Sequence, residues 1–328
     1  FSCVKGFCPS FVTVHGAKPK KADPLRLDAS ALGEVKLPEP IVPALDRSFA
    51  VIVTGVGGTG VVTIGAILGM AAHLEGKGCG MIDMAGLAQK GGAVFSHVKL
   101  APHPDDIHAI RVTAGQADLV LGCDLTVTGS KKVLGAIRPE RGTVIVNTAE
   151  SLPGDFTRNA DFSLPTERLK RAILSAAGRE QTHFIDATAA AVAFLGNAIA
   201  ANMFMLGHAW QLGAVPLSRD ALIRAIELNG EAVAMNKQAF ELGRRAAHDP
   251  EALAGLLSQS KAAAPARRLS QTLEEFIERR VAFLTAYQNA AYAARYRHLV
   301  ARAQTREAAV MPGQSALSEA VARNLFKL

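Results

Sequence analysis

The 328-residue chain contains no uninterrupted apolar stretch of the roughly 20 residues that a helix needs to cross a bilayer. The uncharged run 187–206 comes nearest, but Thr188, Asn197 and Asn202 interrupt it and alanine dominates it, so it reads as a buried helix and no membrane partner is expected. A charged start followed by an apolar segment is also missing, which excludes a recognisable signal peptide. Cysteine is scarce, with four residues, and without a secretory signal this points to a reducing, cytoplasmic setting. Cys79 and Cys123 lie in or beside apolar strand patterns and read as inert core residues. The nine histidines show no His-x3-His or His-Glu-x2-His spacing, so no zinc site is expected. No Gly-x-Ser-x-Gly elbow occurs. Gly129-Ser-Lys-Lys132 has serine and lysine in the wrong order for a Walker loop and reads as a solvated helix start. The net charge of +7 is concentrated late, at Arg279, Arg280, Arg295, Arg297, Arg302 and Arg306. No nucleic-acid-binding motif accompanies it, so it reads as a solvated face or one docked on an acidic neighbour, and no nucleic acid partner is expected. Internal repeats and long low-complexity tracts are absent.

Hydrophobic residues make up 49% of the chain, enough for one large domain or two modest ones. The most informative segment is the apolar run Phe49-Ala-Val-Ile-Val-Thr54, which leads into Gly55-Val-Gly-Gly-Thr-Gly60 and then a helical pattern. A strand, a glycine turn and a helix in this order open a dinucleotide-binding type of α/β domain, and the helix N-terminus suits a phosphate. Strands are expected at 49–54, 78–83, 93–100, 118–123, 143–147 and 183–186, and helices at 59–75 and 129–138. The alternation implies a mostly parallel, Rossmann-like sheet with helices on both faces. The 93–100 segment is mixed in polarity and reads as an edge or antiparallel strand.

Residues 1–48 read as a cysteine-containing segment and linker from an upstream domain, rich in proline and charge. Residues 49–250 read as the Rossmann-like domain, and 251–328 as a linker and the helical start of a following domain. Both ends read as cuts in a longer polypeptide. Beyond 187 the pattern is helical. Ser218 is placed as a cap, Asn229-Gly230 as an interruption and Gly243 as a helix end, and Thr272-Leu-Glu-Glu275 resembles a capping box ahead of a helix running to about residue 303. That last helix has little of its own to pack against.

Three features can carry chemistry. The glycine turn, with Asp83 at the end of the second strand as a ribose partner, fits an NAD(P)-binding oxidoreductase, although no His, Lys or Tyr stands out as a hydride-transfer partner. Gly86-Leu-Ala-Gln-Lys-Gly-Gly-Ala93 is a close-approach loop in which Lys90 can meet a phosphate or carboxylate. Cys3-x4-Cys8 has turn chemistry at Gly6 and Pro9, but two thiolates cannot hold an iron–sulfur cluster alone.

Taken in order, Gly55-Val-Gly-Gly-Thr-Gly-Val-Val62, Ala88-Gln-Lys-Gly-Gly92, Ala117-Asp-Leu-Val-Leu-Gly-Cys-Asp124, Gly142-Thr-Val-Ile-Val-Asn147, Gly196-Asn197 and Asn236-x3-Phe240-x2-Gly243 form a series. It resembles the gamma domain of the 2-oxo acid:ferredoxin oxidoreductases, above all the fused bacterial indolepyruvate enzymes. Ser2-Cys-Val-Lys-Gly-Phe-Cys-Pro-Ser-Phe11 resembles the segment after their thiamine domain. The resemblance implies oxidative decarboxylation of a 2-oxo acid, indolepyruvate or another aryl pyruvate, to an acyl-coenzyme A, with electrons passed to ferredoxin. It implies thiamine diphosphate and Mg bound mainly by other parts of the enzyme, a [4Fe-4S] cluster to which Cys3 and Cys8 contribute, and coenzyme A as co-substrate. No catalytic residue is expected in this chain. Gly55, Gly57, Gly58, Thr59, Gly60, Gln89 and Lys90 are the implied cofactor-side residues. The implied partners are the thiamine-binding domains, ferredoxin and further copies in a homo-oligomer. The chain departs from the family in carrying Thr59 where many gamma domains have Gln, and Lys90 where they have Arg, which keeps charge but not the bidentate fork.

Overall fold

The computed structural model describes residues 37–85, 92–151, 163–263 and 270–326. The described residues through Ala263 form one compact unit, and those from Ser270 a second. The first unit is built on six strands: β1 (Phe49–Val56), β2 (Gly78–Ala85), β3 (Ala93–Ala101), β4 (Leu119–Gly122), β5 (Thr143–Asn147) and β6 (Thr182–Ile185). Their order is β2-β3-β1-β4-β5-β6. β1, β4, β5 and β6 pair in parallel, whereas β3 is antiparallel to both β1 and β2. The sheet is therefore mostly parallel and mixed at one end.

Each strand splits its side chains between two layers, because successive residues point to opposite faces. Val51, Val53, Leu119, Leu121 and Ile145 pack under α1 (Val61–Leu74), α5 (Ala187–Leu195), α6 (Ala201–Gln211), α7 (Arg219–Asn229) and α8 (Val233–His248). Ala50, Ile52, Val120, Val144 and Val146 pack on the other face, beside the short α2 (Leu125–Thr128) and α3 (Lys131–Leu134), and α4 (Thr166–Ala177). α9 (Pro250–Ala263) closes the first unit. Asp118 pins the start of β4. It is buried, accepts Arg47 Nη2 at 3.0 Å and the Ala50 amide at 2.9 Å, and pairs with Arg138 at 3.2 Å.

Helix α6 is buried from Ala201 to Trp210, and glycines set its contact with α8. A Cβ on Gly207 would overlap the carbonyl of Phe240, and a Cβ on Gly243 would overlap the carbonyl of Phe204. The two backbones are thus in direct contact, so Gly243 lies inside α8 and does not end it. The Asn236-x3-Phe240-x2-Gly243 series is the α8 side of this contact. Phe240 also packs on Trp210 with ring centroids 6.1 Å apart, and Trp210 Nε1 donates to the Leu217 carbonyl at 2.8 Å.

Several sequence expectations are corrected. Of the two alternatives for 93–100, β3 is the antiparallel strand and not an edge; β2 is the edge. The polar residues that suggested an edge are buried and bonded: Ser96 Oγ donates to Asp83 Oδ1 at 2.5 Å, and His97 Nδ1 accepts the Val112 amide at 3.2 Å. The apolar β2 residues Met81 and Ile82 are the exposed ones. The segment 129–138 is not one helix, since α2 ends at Thr128 and α3, with Ser130 at its N-cap, covers only Lys131–Leu134. The buried run 187–206 is two helices, broken where Gly196 turns left-handed and Asn197 caps a short 3-10 turn, Ala198–Ala200. Ser218 and Thr272 do cap α7 and α10 (Leu273–Tyr287).

The C-terminal helix expected to run to about 303 is two helices, α10 and α11 (Ala290–Val310), followed by α12 (Ala316–Leu325). They have their own core of Ile277, Leu284, Ala293, Tyr296, Val300 and Ala322. Glu307 ties α11 to the start of α12 by accepting the amides of Leu317 and Ser318 at 2.7 and 2.8 Å. No helix among the described residues is long and apolar enough to cross a membrane.

Two outcomes are expected. Gly243→Ala should destabilise the first unit by about 3 kcal/mol, the upper part of the range for an overpacked core, because the obstacle is backbone and cannot rotate away; a denaturant midpoint shift measures it. His208 is held neutral by burial, with His183 adding, at a pKa of about 4. The unfolded chain takes up that proton near pH 6.5, so stability should fall as pH drops from about 6.5 towards 4. Burial lowers His97 and His183 too, so His208→Gln should reduce that slope without abolishing it.

Candidate functional site

Strands β1, β4 and β5 run in parallel and end at one edge of the sheet, where open α/β sheets form their binding crevices. A cavity of about 320 Å³ lies there, lined by Gly58 and Thr59 of the glycine turn, Cys123 and Asp124 after β4, Asn147, Glu150 and Ser151 after β5, and Thr188, Ile199 and Asn202 from the helical layer.

The glycine turn is shaped by two left-handed positions, Gly58 at φ 85° and Gly60 at φ 86°. Gly60 is the N-cap of α1 and offers no side-chain cap, so the cap position itself supplies no acceptor for the first amides of the helix. Gly55 serves packing: a Cβ there would meet Val61 Cγ2 at 2.5 Å and Cys123 Cβ at 3.2 Å. The Gly57 amide is already used, donating to the Gly92 carbonyl at 2.8 Å. Among the described residues a Cβ on Gly58 would meet nothing within 4 Å, which leaves space at that point of the turn. Thr59 turns its hydroxyl inward to the Val56 carbonyl at 2.7 Å, and its own carbonyl accepts Asn202 Nδ2 at 2.5 Å. Asn202, from the start of α6, thereby holds the turn.

A second amide side chain organises the opposite wall. Asn147 Nδ2 donates to Thr188 Oγ1 at 2.8 Å and to the Cys123 carbonyl at 3.3 Å, while its Oδ1 accepts the Ala149 and Thr188 amides at 3.3 and 3.4 Å. Asp124 caps α2 through the Val127 amide at 2.8 Å; burial still raises its pKa against the pull of the Val127 and Thr126 amides. Burial, with Asp124 adding, pushes the Cys123 thiol up to about 12, so it stays protonated and is no nucleophile. Sequence reasoning did not single out Asn147, Thr188 or Asn202 for this site. The signal was present, since Thr188 and Asn202 interrupt an otherwise apolar run.

Gln89 and Lys90, and Cys3 and Cys8, lie outside the described residues. The ends of the loop that carries Gln89 and Lys90, Ala85 and Gly92, are at the same sheet edge as the glycine turn. Among the described residues no cluster of His, Cys, Asp and Glu can hold a metal ion. Asp83 does not fit its expected ribose role. It is bonded to Ser96 on a strand separated from β1 by β3, roughly 10 Å away at ordinary strand spacing.

Residues 50–246 match the family described as pyruvate ferredoxin/flavodoxin oxidoreductase. This is more than half of the chain, and the chain belongs to that family. Residues 273–328 match a family of unknown function (DUF6537). The chain is 27% identical over 206 residues to the indolepyruvate oxidoreductase subunit IorB of Pyrococcus horikoshii, covering 62% of this chain and 98% of the relative. To the subunit of the same name from Methanothermobacter thermautotrophicus it is 28% identical over 207 residues, covering 61% and 98%. Among solved structures it is similar to the keto/oxoacid ferredoxin oxidoreductase gamma subunit of Geobacter sulfurreducens, with 21% identity, a TM-score of 0.41 and coverage of 61% and 98%. It is also similar to pyruvate oxidoreductase subunit PORC of Thermotoga maritima, with 20% identity, a TM-score of 0.45 and coverage of 61% and 96%.

Asn202→Ala leaves the Thr59 carbonyl without its donor and should cost about 1 to 2 kcal/mol. Amide exchange should accelerate specifically over residues 58–63. At pH 8, Cys79 and Cys123, both with pKa raised by burial, should alkylate slowly in the native protein and rapidly after unfolding. Fast native alkylation of Cys123 would contradict the neutral-thiol assignment.

Proposed function

We propose that this chain is the gamma module of a thiamine-dependent 2-oxo acid:ferredoxin oxidoreductase acting on indolepyruvate or another aryl pyruvate. The observation that carries the reading is the crevice at the carboxyl ends of β1, β4 and β5, bounded by the glycine turn, in a chain of the pyruvate ferredoxin/flavodoxin oxidoreductase family. The substrate class rests on the names of the indolepyruvate relatives.

In this reading the module serves the coenzyme A side of a shared active site. The open space at Gly58 and the amides at the start of α1 receive a phosphate of coenzyme A, with Asn202 holding the turn rigid. Gln89 and Lys90 complete that side from the loop whose end, Gly92, is clamped by the Gly57 amide. The thiamine diphosphate and Mg, held by partner domains, supply the electron sink for decarboxylation. The crevice itself contributes positioning: its cysteine is neutral and its asparagines are consumed in hydrogen bonds. Cys3 and Cys8 contribute to a [4Fe-4S] cluster completed by other cysteines, ferredoxin takes the electrons, and the enzyme works as a homo-oligomer in the reducing cytoplasm.

The test is anaerobic dye reduction by the complete enzyme with indolepyruvate, phenylpyruvate or pyruvate, with and without coenzyme A. Coenzyme A-dependent reduction, fastest with an aryl pyruvate, is expected. Gly58→Asn, a side chain that tolerates the left-handed backbone and enters the open space, should raise the KM for coenzyme A about tenfold while leaving the KM for the 2-oxo acid unchanged. Reduction indifferent to coenzyme A, or a variant that changes only the 2-oxo acid KM, would overturn the assignment.

A further inference from the structure

On the face of the sheet that carries Ile52, a second cavity of about 490 Å³ lies over β1 and β3. It shares no lining residue with the glycine-turn crevice. Its walls are the loop Arg111–Ala114 and the α3 turn, with Lys131 and Lys132. Its apolar part is formed by buried Ile52 and Val112 and by Phe95.

The charged groups are all of one sign. Arg111, Lys131 and Lys132 are cationic, and among the described residues no lining residue is acidic. Among the described residues none of the three takes part in an ion pair. Lys132 instead sits over the Phe95 ring, with Nζ 4.2 Å from its centroid. His97, 3% exposed, belongs to the same wall. Its Nδ1 accepts the Val112 amide, which leaves the proton on Nε2, and that buried donor has no partner among the described residues. A buried donor without an acceptor costs free energy, and three unpaired cations beside it repel one another. A bound anion relieves both.

We propose that this cavity binds a small organic phosphate, a dianionic monoester whose apolar group lies on Ile52, Val112 and Phe95. Three cations and a lone N–H donor exceed what a single carboxylate can neutralise, and a phosphate dianion brings three acceptor oxygens. The cavity volume is that of a small-molecule site.

The experiment is calorimetric titration of the purified protein with phenyl phosphate and, separately, with benzoate, with amide chemical shifts followed in parallel. Saturable phenyl phosphate binding at millimolar concentration or below is expected, with shifts at residues 95–97, 111–114 and 131–136. Benzoate should bind at least about tenfold more weakly. Arg111→Glu and Lys132→Glu, at exposed positions that do not threaten folding, should each weaken phenyl phosphate about tenfold. Gly58→Asn, which the left-handed backbone tolerates, should leave it unchanged, which separates this site from the coenzyme A reading. Absence of saturable binding, equal binding of benzoate, indifference to both charge reversals, or shifts centred on residues 58–62 would each overturn the proposal.

Discussion

The contact between α6 and α8 fixes most of what matters in the first unit. With Gly207 and Gly243 facing carbonyls of the opposite helix, the two backbones touch, and neither helix can slide without creating a void or an overlap. That places the whole of α6, including Asn202 near its start and His208 near its end. Asn202 then reaches across to the Thr59 carbonyl and sets the glycine turn, so the geometry of the crevice is inherited from a helix contact on the far side of the core. His208 faces His183 of β6 with ring centroids 6.4 Å apart, and both stay neutral because burial makes a charge there expensive.

The antiparallel β3 changes the meaning of the glycine fingerprint. In a dinucleotide-binding domain the strand after the first helix lies beside β1, and its acidic end holds a ribose. Here β3 takes that place and pushes β2 to the edge, and Asp83 is spent on Ser96. The turn keeps the backbone chemistry of an anion site while losing the neighbour that would make it a nicotinamide site. Gly57, the residue that normally admits a ligand to the backbone, has its amide committed to Gly92.

The first half of the fold was readable because its signals are local. Phe49–Thr54 is an apolar run with glycines after it, and the remaining strands are short apolar or β-branched segments. The errors came where a polar residue was satisfied by a distant partner. The mixed polarity of 93–100 fits an edge or an antiparallel strand, and only the second holds, because a sequence does not disclose that Asp83 and Val112 will meet Ser96 and His97. Thr188 and Asn202 spoke against a membrane span, but their roles depend on Asn147 and Thr59, 41 and 143 residues away. Gly243 looked like a helix end because the facing Phe204 carbonyl, which demands a glycine there, belongs to another helix.

The chemistry of the crevice supports a division of labour. A site that performs proton transfer or nucleophilic attack needs a titratable group poised near neutral pH and free to move a proton. Cys123 is held protonated, Asp124 caps a helix turn, Glu150 accepts the Thr166 hydroxyl at 2.6 Å, Asn147 uses both its oxygen and its nitrogen in hydrogen bonds, and Asn202 donates to the Thr59 carbonyl. Among the described residues, what this edge has to give is backbone shaped by the glycine turn and a void beside it. On the proposed reading, those properties suit the grip on one end of a long anionic co-substrate while another part of the enzyme holds the reacting carbon.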